Sequence, residues 1–413
     1  MRTRSFTCNG PVTGTNSIRP LTAVRRLRKE LNTRGLAQVD ILHPVFREHY
    51  DQFEITRAEF EGLRVFRLSK DTTSGYDDSI RHPAVESLID RFLGEHHYDA
   101  VHIHGLGQLS ASPIDVAVRR GLPTVMTLHD YWLLCAFWHL MTPDQQLCSG
   151  PESTAKCATC YLTHGRASRE NAPRTLDFME NRTTTFRQRF HQLTRAVAPS
   201  RHLANMFAKF GFGGITVSPY GMRPLVPQPK RPHPGLVIGF AGQIIARKGI
   251  DTLLTAFANL RRPDVSLEIW GTSNERKYLE RVVARAAQIP NVRYKGGYTA
   301  DQLPSIFAGI DIAAVPSLMD NFPLVVQEAF MTGTPVVASR TGGIPEAVVD
   351  GRNGLLFEPG QADDLLRALR QIVDRPELIA DFARHIPAVR TMADDATFYA
   401  EMYESVRVAA LSR

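Results

Sequence analysis

The sequence lacks any long apolar segment. None of its apolar runs approaches the roughly 20 residues that a membrane-spanning helix needs. The N-terminus, MRTRSFTCNG, is basic but contains no apolar stretch of the kind found in secretory signal peptides. These two absences argue against an integral membrane protein, and we expect a cytoplasmic one.

Cysteine is scarce, and the chain has only five. Four of them, Cys135, Cys148, Cys157 and Cys160, form the pattern C-x12-C-x8-C-x2-C. The C-x2-C half has the spacing of a zinc knuckle, four thiolates suit tetrahedral Zn²⁺, and a reducing cytoplasm disfavours disulfides. Four unligated thiols in a buried loop are the alternative, and the sequence leaves both open. Cys8 has no counterpart in this pattern.

The composition is ordinary for a soluble globular protein, with 43% hydrophobic and 22% charged residues. A chain of 413 residues predicts about two or three domains. The net charge of +7 is unevenly distributed, because Arg166–Lys209 holds nine Lys or Arg against three acids and the predicted helix Pro20–Arg34 has a basic face. Such faces are solvated or attracted to an anionic membrane surface. No nucleic-acid partner is expected.

The clearest local pattern lies between residues 311 and 346. Asp311–Ser317 is a short apolar run of strand type, Leu324–Met331 is typical of a helix, and Pro335–Ser339 is a second strand. A strand–helix–strand unit with tight loops is the building block of a parallel α/β sheet. The pattern therefore predicts an α/β fold.

Two acidic residues, Asp320 and Glu328, lie eight positions apart in this unit. Asp320 precedes the helix and Glu328 lies within it, among apolar neighbours. In one interpretation Asp320 caps the helix and Glu328 faces solvent. In the other, both point into the crevice beyond the carboxyl ends of the strands, where they accept hydrogen bonds from a polyol.

A second strand–loop–helix unit has the features of an anion site. The predicted strand Leu236–Phe240 is followed by a glycine turn, by Arg247 and Lys248, and by the predicted helix Asp251–Leu260. A helix N-terminus favours phosphate through its dipole and its free N–H groups. An ordinary loop with surface charges is the alternative.

Other candidate residues also follow predicted strands. His104 ends the strand Ala100–His104, and His129 follows Thr124–Leu128; one such histidine is more often structural, but two from neighbouring strands favour a site. Gly271 and Tyr298 follow two strands of the second half and are predicted to line a nucleobase pocket. Tyr298 would stack on a base or simply pack.

The block from Pro316 to Gly360, including PS…DNFPL…EA…G…PVV…GG…PE…G…GLL…PG, resembles the donor-sugar motif of family 4 retaining glycosyltransferases. In that family the acidic pair has the pattern E-x7-E, and in this sequence the first acid is an aspartate, Asp320. The phrases DAVHIHGL and TVMTLHDYW, which contain His104 and His129, resemble the same family in the first half of the chain.

The resemblance implies a role for each matching residue. Lys248 binds the donor diphosphate, and Gln243 replaces an arginine that family members place there, with Arg247 as a hypothetical substitute. Glu328 holds the ribose, Asp320 with the amides of Phe322–Leu324 holds the sugar, and His129 reaches the transferring sugar. The implied set comprises His129, Lys248, Asp320 and Glu328 as catalytic residues, Gly14, Gln243, Arg247, Asn321, Phe322, Pro323 and Leu324 at the donor, and His104 and Tyr131 on the acceptor side.

The resemblance also implies the GT-B architecture, in which two doubly wound Rossmann-like domains face each other across a cleft. We expect domains at 1–224 and 225–390, a cysteine-rich insertion at 135–160 like that of some family members, and a C-terminal helix at 391–413 that packs on the first domain. The implied activity is retaining sugar transfer from a nucleotide-diphosphate sugar to a glycan, a lipid-linked saccharide or a small natural product, without a catalytic metal.

Two alternatives stay open. A GT-B shell can serve as a non-catalytic scaffold or as a sugar-nucleotide sensor, which Gln243 and Asp320 favour as departures from the family pattern. A GT-B epimerase or phosphorylase is the other alternative. The nucleobase, the sugar and the acceptor do not follow from the sequence, and contact with the inner face of a membrane is a further expectation from the basic regions.

Overall fold

The computed structural model describes residues 3–8, 18–46, 54–60, 63–70, 79–107, 109–144 and 146–412. Gly14, predicted to face the donor phosphates, lies outside these residues. The chain divides into two compact units. Unit 1 comprises Met1–Tyr220 together with Met392–Arg413, and unit 2 comprises Gly221–Thr391.

Unit 1 is built on one eight-stranded sheet with the strand order β3-β4-β2-β1-β5-β6-β7-β8. Its strands are β1 Thr3–Cys8, β2 Ala37–Phe46, β3 Glu54–Phe60, β4 Leu63–Lys70, β5 Ala100–Ile103, β6 Thr124–Thr127, β7 Arg195–Ala198 and β8 Ile215–Val217. Its helices are α1 Ile18–Thr33, α2 Pro83–Glu95, α3 Ser112–Arg119, α4 Thr154–Thr163, α5 Ala172–His191 and α6 Arg201–Lys209.

The sheet of unit 1 is parallel except at one edge. β1 pairs with both β2 and β5, so the chain winds first to one side of β1 and then to the other. Every residue of β5 and β6 is buried, as expected for parallel strands covered on both faces. The strand β3, which the sequence does not predict, pairs antiparallel with β4 only.

Unit 2 contains a six-stranded, fully parallel sheet with the order β11-β10-β9-β12-β13-β14. Its strands are β9 Leu236–Ala241, β10 Val265–Trp270, β11 Val292–Gly296, β12 Ile312–Val315, β13 Val336–Ser339 and β14 Gly354–Phe357. Its helices are α7 Ile250–Leu260, α8 Arg276–Ala287, α9 Leu303–Ala308, α10 Leu324–Met331, α11 Ile344–Ala347, α12 Ala362–Asp374 and α13 Glu377–Arg384.

Two apolar layers enclose the sheet of unit 2. Ile238 and Phe240 of β9 belong to one core cluster, and Val237 and Ala241 of the same strand belong to the other. Side chains that alternate along a strand point to opposite faces, so β9 is covered on both. The predicted doubly wound α/β fold is confirmed in both units.

The last helix, α14 Met392–Leu411, belongs to unit 1. Its buried Tyr399 and Tyr403 join a cluster with Leu27 and Leu31 of α1. The prediction that the C-terminal helix packs on the first part of the chain is therefore confirmed. Within the described ranges, no helix has both the length and the apolarity needed to cross a lipid bilayer.

Candidate functional site

Strand order brings two predicted site residues of unit 2 together. β9 and β12 are neighbours in the sheet, and from them the chain winds to opposite sides. The carboxyl ends of such a pair form the topological switch point, where ligands bind in open α/β sheets. Lys248 lies in the loop after β9, and Asp320 lies in the loop after β12.

Lys248 and Asp320 form an ion pair. Lys248 Nζ donates a hydrogen bond of 2.5 Å to Asp320 Oδ2. The Lys248 and Asp320 side chains are only 20% and 12% exposed, so their charges are shielded from bulk water. A pair at this burial holds its geometry more firmly than a solvated surface pair. The site thus carries one fixed cation and one fixed carboxylate.

The main chain around this pair is tightly packed. Gly249, at the start of α7, has φ +69°, and a Cβ there would lie 1.8 Å from the Pro316 carbonyl oxygen. Glycine is therefore required both for its conformation and for the close approach of the two loops. The Leu318 N–H donates to the Arg247 carbonyl at 2.8 Å, and this hydrogen bond joins the same two loops.

The loop after β13 supports Asp320 from the other side. The Gly343 N–H donates to the Asp320 carbonyl at 2.9 Å, and Thr341 Oγ1 donates to the Leu318 carbonyl at 3.1 Å. Gly342 has φ +57°, and a Cβ there would lie 1.8 Å from the Asp320 carbonyl oxygen. The glycine loop that the sequence shows after β13 thus fixes the main chain at Asp320.

Asp320 does not cap α10. The helix begins at Leu324, as predicted, and its N-cap is Pro323, which makes no side-chain capping bond. The capping interpretation of Asp320 is therefore wrong, because its carboxylate is bound to Lys248. Asn321 and Phe322 are half-buried just before the helix. The first N–H groups of a helix have no intrahelical acceptor, so this end of α10 can bind polar ligand atoms.

Glu328 lies one turn into α10 and is half-buried, which excludes a fully solvated side chain. Its Oε2 atom is buried. The helix presents Val326, Ala329 and Phe330 to the core. Glu328 therefore lies at the margin of the apolar layer, where a carboxylate needs polar neighbours.

The other predicted donor residues occupy neighbouring loops of unit 2. Gln243 is half-buried after β9, whereas the Arg247 side chain is exposed. Gly271 is buried at the end of β10, and its carbonyl accepts a hydrogen bond from Tyr294 Oη at 3.0 Å. Tyr298 packs against the apolar cluster on the α10 side of the sheet, and base stacking stays a prediction.

In unit 1, the two predicted histidines contact each other at the ends of neighbouring strands. His104 Nδ1 and His129 Nε2 are joined by a hydrogen bond of 2.9 Å. On its other side, His129 Nδ1 is hydrogen-bonded to the Tyr220 hydroxyl, and the two rings stack with centroids 5.4 Å apart. Both ring nitrogens of His129 are therefore engaged, which fixes the orientation of the imidazole.

A buried tyrosine hydroxyl of α14 is hydrogen-bonded to a third histidine, which packs against these rings. His102 Nδ1 is 2.7 Å from the Tyr403 hydroxyl, and His102 Nε2 is 2.8 Å from Thr127 Oγ1. The His102 and His104 rings lie 3.9 Å apart between centroids. The C-terminal helix thus helps to position a histidine pair that lies far away in sequence.

The three imidazoles are neutral at physiological pH. Burial, with a smaller effect of His129, lowers the pKa of His102 to about 3. Burial lowers the pKa of His129 to about 4. Burial, and then the nearby His102 and His129, also hold the pKa of His104 well below its usual value. These rings act as neutral hydrogen-bonding groups and not as cations.

Tyr131, assigned by resemblance to the acceptor side, is fully buried. Its hydroxyl is 3.1 Å from His202 Nε2, and its ring stacks on Phe207. The side chain therefore lies in the core of unit 1, and its acceptor-side role stays a prediction. His104 is also buried, at 7% exposure, and its hydrogen bond goes to His129.

The four clustered cysteines are free thiols. Cys157 and Cys160 lie on α4, and all four side chains are half-buried. Among the described residues, no group of three or more His, Cys, Asp or Glu side chains is arranged so that it could hold a metal ion.

Tyr220 is a candidate site residue that the sequence does not reveal. It ends unit 1, directly before Gly221, and its hydroxyl contacts His129 from 91 residues away. An isolated tyrosine after a short strand carries no periodic or spacing signal. Its contact with His129 depends on which strands lie side by side.

Two family models match the chain in succession. Residues 21–224 match "Glycosyltransferase Family 4", and residues 224–387 match "Glycosyl transferases group 1". The two matches meet at residue 224 and together span residues 21–387.

Curated relatives match over part of their length. The D-inositol 3-phosphate glycosyltransferase of Corynebacterium urealyticum is 34% identical over 182 residues, which is 41% of this chain and 43% of the relative. The MMP alpha-(1->4)-mannosyltransferase of Mycolicibacterium hassiacum is 33% identical over 142 residues, 34% of each chain. This chain thus spans less than half of the length of these relatives.

Solved structures match over the whole chain. Sucrose-phosphate synthase from Thermosynechococcus elongatus has a TM-score of 0.69 at 18% identity, with 99% of this chain and 100% of the other covered. Anabaena Alr3699/HepE, solved in complex with UDP and glucose, has a TM-score of 0.64 at 17% identity, with 98% and 100% covered. These similarities show that the fold is GT-B.

Proposed function

We propose that this chain, which belongs to the family 4 and group 1 glycosyltransferases, transfers a sugar from a nucleotide-diphosphate sugar to an acceptor nucleophile. The expected outcome at the anomeric carbon is retention of configuration. Both named relatives are sugar transferases, and HepE was solved with UDP and glucose. The acceptor class is a glycan, a lipid-linked saccharide or a small natural product.

One observation carries the proposal: a shielded Lys248–Asp320 pair lies at the switch point of a doubly wound sheet. Ligands of open α/β sheets bind at this edge, so a cation fixed here is available to a ligand. A lysine can bind phosphate oxygens, while the carboxylate keeps its ammonium group oriented.

The reaction depends mainly on stabilising the negative charge of the leaving group. Negative charge grows on the diphosphate as the bond to the sugar breaks, and a preoriented cation stabilises that charge in the transition state. Lys248 supplies this cation, and the first turns of α7 and α10 add N–H groups. Arg247, whose side chain is exposed, is the second cation proposed to reach the diphosphate.

The carboxylates are proposed to bind hydroxyl groups. Glu328, half-buried on α10, would accept hydrogen bonds from the ribose. Asp320, with the amides of Phe322–Leu324, would bind the sugar, and one of its oxygens would keep the contact with Lys248. In this assignment Asp320 has two tasks, because it orients Lys248 and also binds the sugar.

His129 is proposed to position the transferring sugar. With its pKa lowered to about 4, the ring stays neutral at physiological pH. A neutral imidazole adds no charge at the anomeric carbon, and because both of its nitrogens are bonded within the protein, the ring would position the sugar by van der Waals contact. His104 and Tyr220 hold it in place through its two nitrogens.

A non-catalytic sugar-nucleotide sensor is the second candidate, and Gln243 favours it. The amide replaces a cation that family members place at the diphosphate, so catalysis would lose one charge while binding persists. Contact with an anionic membrane through the basic surface of Arg166–Lys209 remains a separate prediction for a lipid-linked acceptor.

Thermal-shift measurements against a panel of nucleotides and nucleotide sugars test the proposal. Wild type is compared with Lys248→Ala, Glu328→Ala and, as a matched control, Lys277→Ala on the exposed surface of α8. Ligand bound to the native state raises the apparent Tm. We expect one nucleotide series to stabilise the wild type and the control but neither site variant.

Hydrolysis or transfer of the stabilising nucleotide sugar then separates enzyme from sensor. Release of the free nucleotide diphosphate in the presence of an acceptor panel supports the transferase. Binding without any turnover supports the sensor. No stabilisation by any nucleotide, with inorganic phosphate stabilising instead, would contradict the transferase and favour the phosphorylase alternative.

A further inference from the structure

One face of the sheet of unit 2 is open along β10. Leu267 and Ile269 of this strand belong to the core cluster that α7, α8 and α12 complete. The alternate residues Ser266, Glu268 and Trp270 are half-buried and point to the opposite face. Parallel strands are normally covered on both faces, so a half-open strand in a fully parallel sheet indicates a place where something else can bind.

The short connection between β11 and β12 explains why this face is open. The helix in that connection, α9, has only six residues, Leu303–Ala308. Its apolar side chains join the cluster formed with residues of β9, β12 and β13, in the middle of the sheet. The outer strands β10 and β11 therefore keep an accessible surface beside α9.

A groove of about 640 Å³ lies over this surface. It is lined by residues 231–235, by α9 and by side chains of β10 and β11. All its lining residues belong to unit 2, and neither Lys248 nor Asp320 is among them. The volume falls within the roughly 300–1,000 Å³ of sites that bind small molecules.

The lining combines an apolar floor with a few polar groups. Val237, Trp270 and Ile306 supply the apolar surface. Trp270 Nε1 donates to Glu268 Oε2 at 3.3 Å, which orients a carboxylate that can still accept further hydrogen bonds. The Ser266 hydroxyl has no hydrogen-bond partner among the described residues and is open to a ligand. Such a lining is typical of a small-molecule site.

The two acids that line the groove are already paired with cations. Lys295 Nζ lies 3.5 Å from Glu268 Oε1 and 5.4 Å from the centroid of the Trp270 ring. Asp264 accepts two hydrogen bonds from Arg262, at 2.9 and 3.0 Å. These carboxylates are therefore not the counter-ions of the remaining cations in the groove.

Two arginines of the groove lack a carboxylate partner within the part of the chain that the structure describes. Arg293 is in register with Glu268 on the neighbouring strand, but that carboxylate pairs with Lys295 and the Arg293 side chain is exposed. The Arg231 guanidinium donates to the Ser305 carbonyl at 2.7 Å, which is a neutral acceptor. Two unbalanced guanidinium groups at one groove favour an anionic ligand.

We propose that this groove is a second ligand site, which binds a small sugar that carries a negative charge, either a sugar phosphate or a sugar acid. Arg231 and Arg293 bind the charged group, because a guanidinium matches the geometry of phosphate and carboxylate oxygens. Glu268 and Ser266 bind hydroxyl groups, and the apolar floor contacts the carbon atoms of the ring. The limited volume favours a small molecule over an acidic peptide.

Isothermal titration calorimetry of the full-length protein tests the proposal. Glucose 6-phosphate and glucuronate are the probes, since they carry the two kinds of charged group on the same ring. Glucose and inorganic phosphate are the controls, because each lacks either the charge or the hydroxyl-bearing ring. We expect one charged sugar to bind with one molecule per chain and about tenfold or more tightly than the matching controls.

Variants locate the binding. Arg293→Ala should weaken the binding of the charged sugar about tenfold or more, because a hydrogen bond between charged groups is lost. Arg352→Ala is the matched control, since Arg352 is also exposed but precedes β14, at the opposite edge of the same sheet. It should bind the sugar as wild type does. Urea unfolding checks that both variants are folded.

Lys248→Ala separates this groove from the candidate donor site. It should leave the affinity for the charged sugar unchanged, because Lys248 does not line the groove. Binding in the groove therefore stands or fails independently of the proposed sugar transfer.

The overturning results are specific. Absence of binding by both charged sugars, equal affinity of Arg293→Ala and wild type, or loss of binding in Lys248→Ala would each overturn the site. Inorganic phosphate that binds as tightly as glucose 6-phosphate would do so too, because the hydroxyl groups would then have no role. Binding of an oligoglutamate peptide that Arg293→Ala abolishes, without binding of either sugar, would overturn it in favour of an acidic protein segment.

Discussion

The two units build their candidate sites from different chemistry. In unit 1 the site consists of neutral rings, since His104, His129 and Tyr220 are joined by hydrogen bonds and burial keeps the imidazoles uncharged. In unit 2 the site consists of a charge pair, Lys248 and Asp320, beside a helix N-terminus. Both sets lie where parallel strands end.

This difference agrees with the proposed sugar transfer, which needs two kinds of group. A departing diphosphate carries growing negative charge and needs a cation, whereas a sugar with several hydroxyls needs oriented donors and acceptors. A charged group is sensitive to the removal of its partner, and a buried neutral ring is sensitive to acid. The two halves can therefore be perturbed separately.

The largest effect is expected from Lys248→Ala in unit 2. Removal of the cation should lower kcat about 10²–10³-fold, as the loss of one preorganised electrostatic group does in other enzymes. Steady-state kinetics with the stabilising donor measure this change. Asp320→Asn provides a coupling test, because loss of the carboxylate also frees the ammonium group.

The double variant Lys248→Ala/Asp320→Asn tests whether the two residues act together. If Asp320 orients Lys248, the effects of the two substitutions combine to less than the product of their separate effects. Lys277→Ala should leave kcat unchanged. Full kcat in Lys248→Ala would contradict the assignment of the charge pair to the leaving group.

The next effect is expected from the glycine loop beneath Asp320. Gly342→Ala should be destabilising both through its positive φ and through the clash with the Asp320 carbonyl, by more than about 2 kcal/mol. Gly333→Ala is the matched control, since Gly333 has φ +70° but no atom within 4 Å of the place where a Cβ would lie. It should cost only about 1 kcal/mol.

Urea unfolding and donor binding measure both glycine variants. Only Gly342→Ala should also weaken nucleotide binding, because the Asp320 main chain shifts. Equal losses in the two variants would show that the close approach to Asp320 has no bearing on the site.

The smallest effect is expected from acid acting on unit 1. The pKa of buried His102 is about 3 in the folded protein, against about 6.5 when unfolded, so the unfolded chain binds more protons between these values. The stabilisation is complete above pH 6.5 and is lost as pH falls toward 3. At pH 5 the loss is about 2 kcal/mol for His102.

Urea midpoints between pH 7 and pH 5 measure this acid sensitivity. His102→Asn should be less stable at pH 7 but should lose less stability on acidification than the wild type. His385→Asn, on the exposed surface of unit 2, should behave as wild type. If the urea midpoints of His102→Asn and wild type fell by the same amount between pH 7 and pH 5, a neutral buried imidazole would be contradicted.

Much of the fold can be predicted, because apolar runs and helix signals are local. The sequence predicts α10 with its observed bounds, Leu324–Met331, since Pro323 and Gly333 mark its ends. It does not predict β3, because Glu54–Phe60 carries charges along its length and pairs with one neighbour only. An edge strand has little local signal of burial.

The site can be predicted as residues but not as contacts. The histidines at strand ends and the acid before α10 are recognisable because position after a parallel strand has a physical meaning. The capping interpretation of Asp320 is wrong, because the sequence cannot show that a cation 72 residues away competes for the carboxylate. The sequence around Tyr220 contains no periodicity or spacing that predicts its contact with His129.

Local periodicity predicts the α/β class and the residue types that follow each strand. The contacts between those residues follow from the tertiary structure alone. β9 lies beside β12, so Lys248 binds Asp320, and α14 returns to unit 1, so Tyr403 reaches His102 across 301 residues. The order of the strands and the packing of α14 on unit 1 depend on contacts between distant segments, which no local pattern encodes.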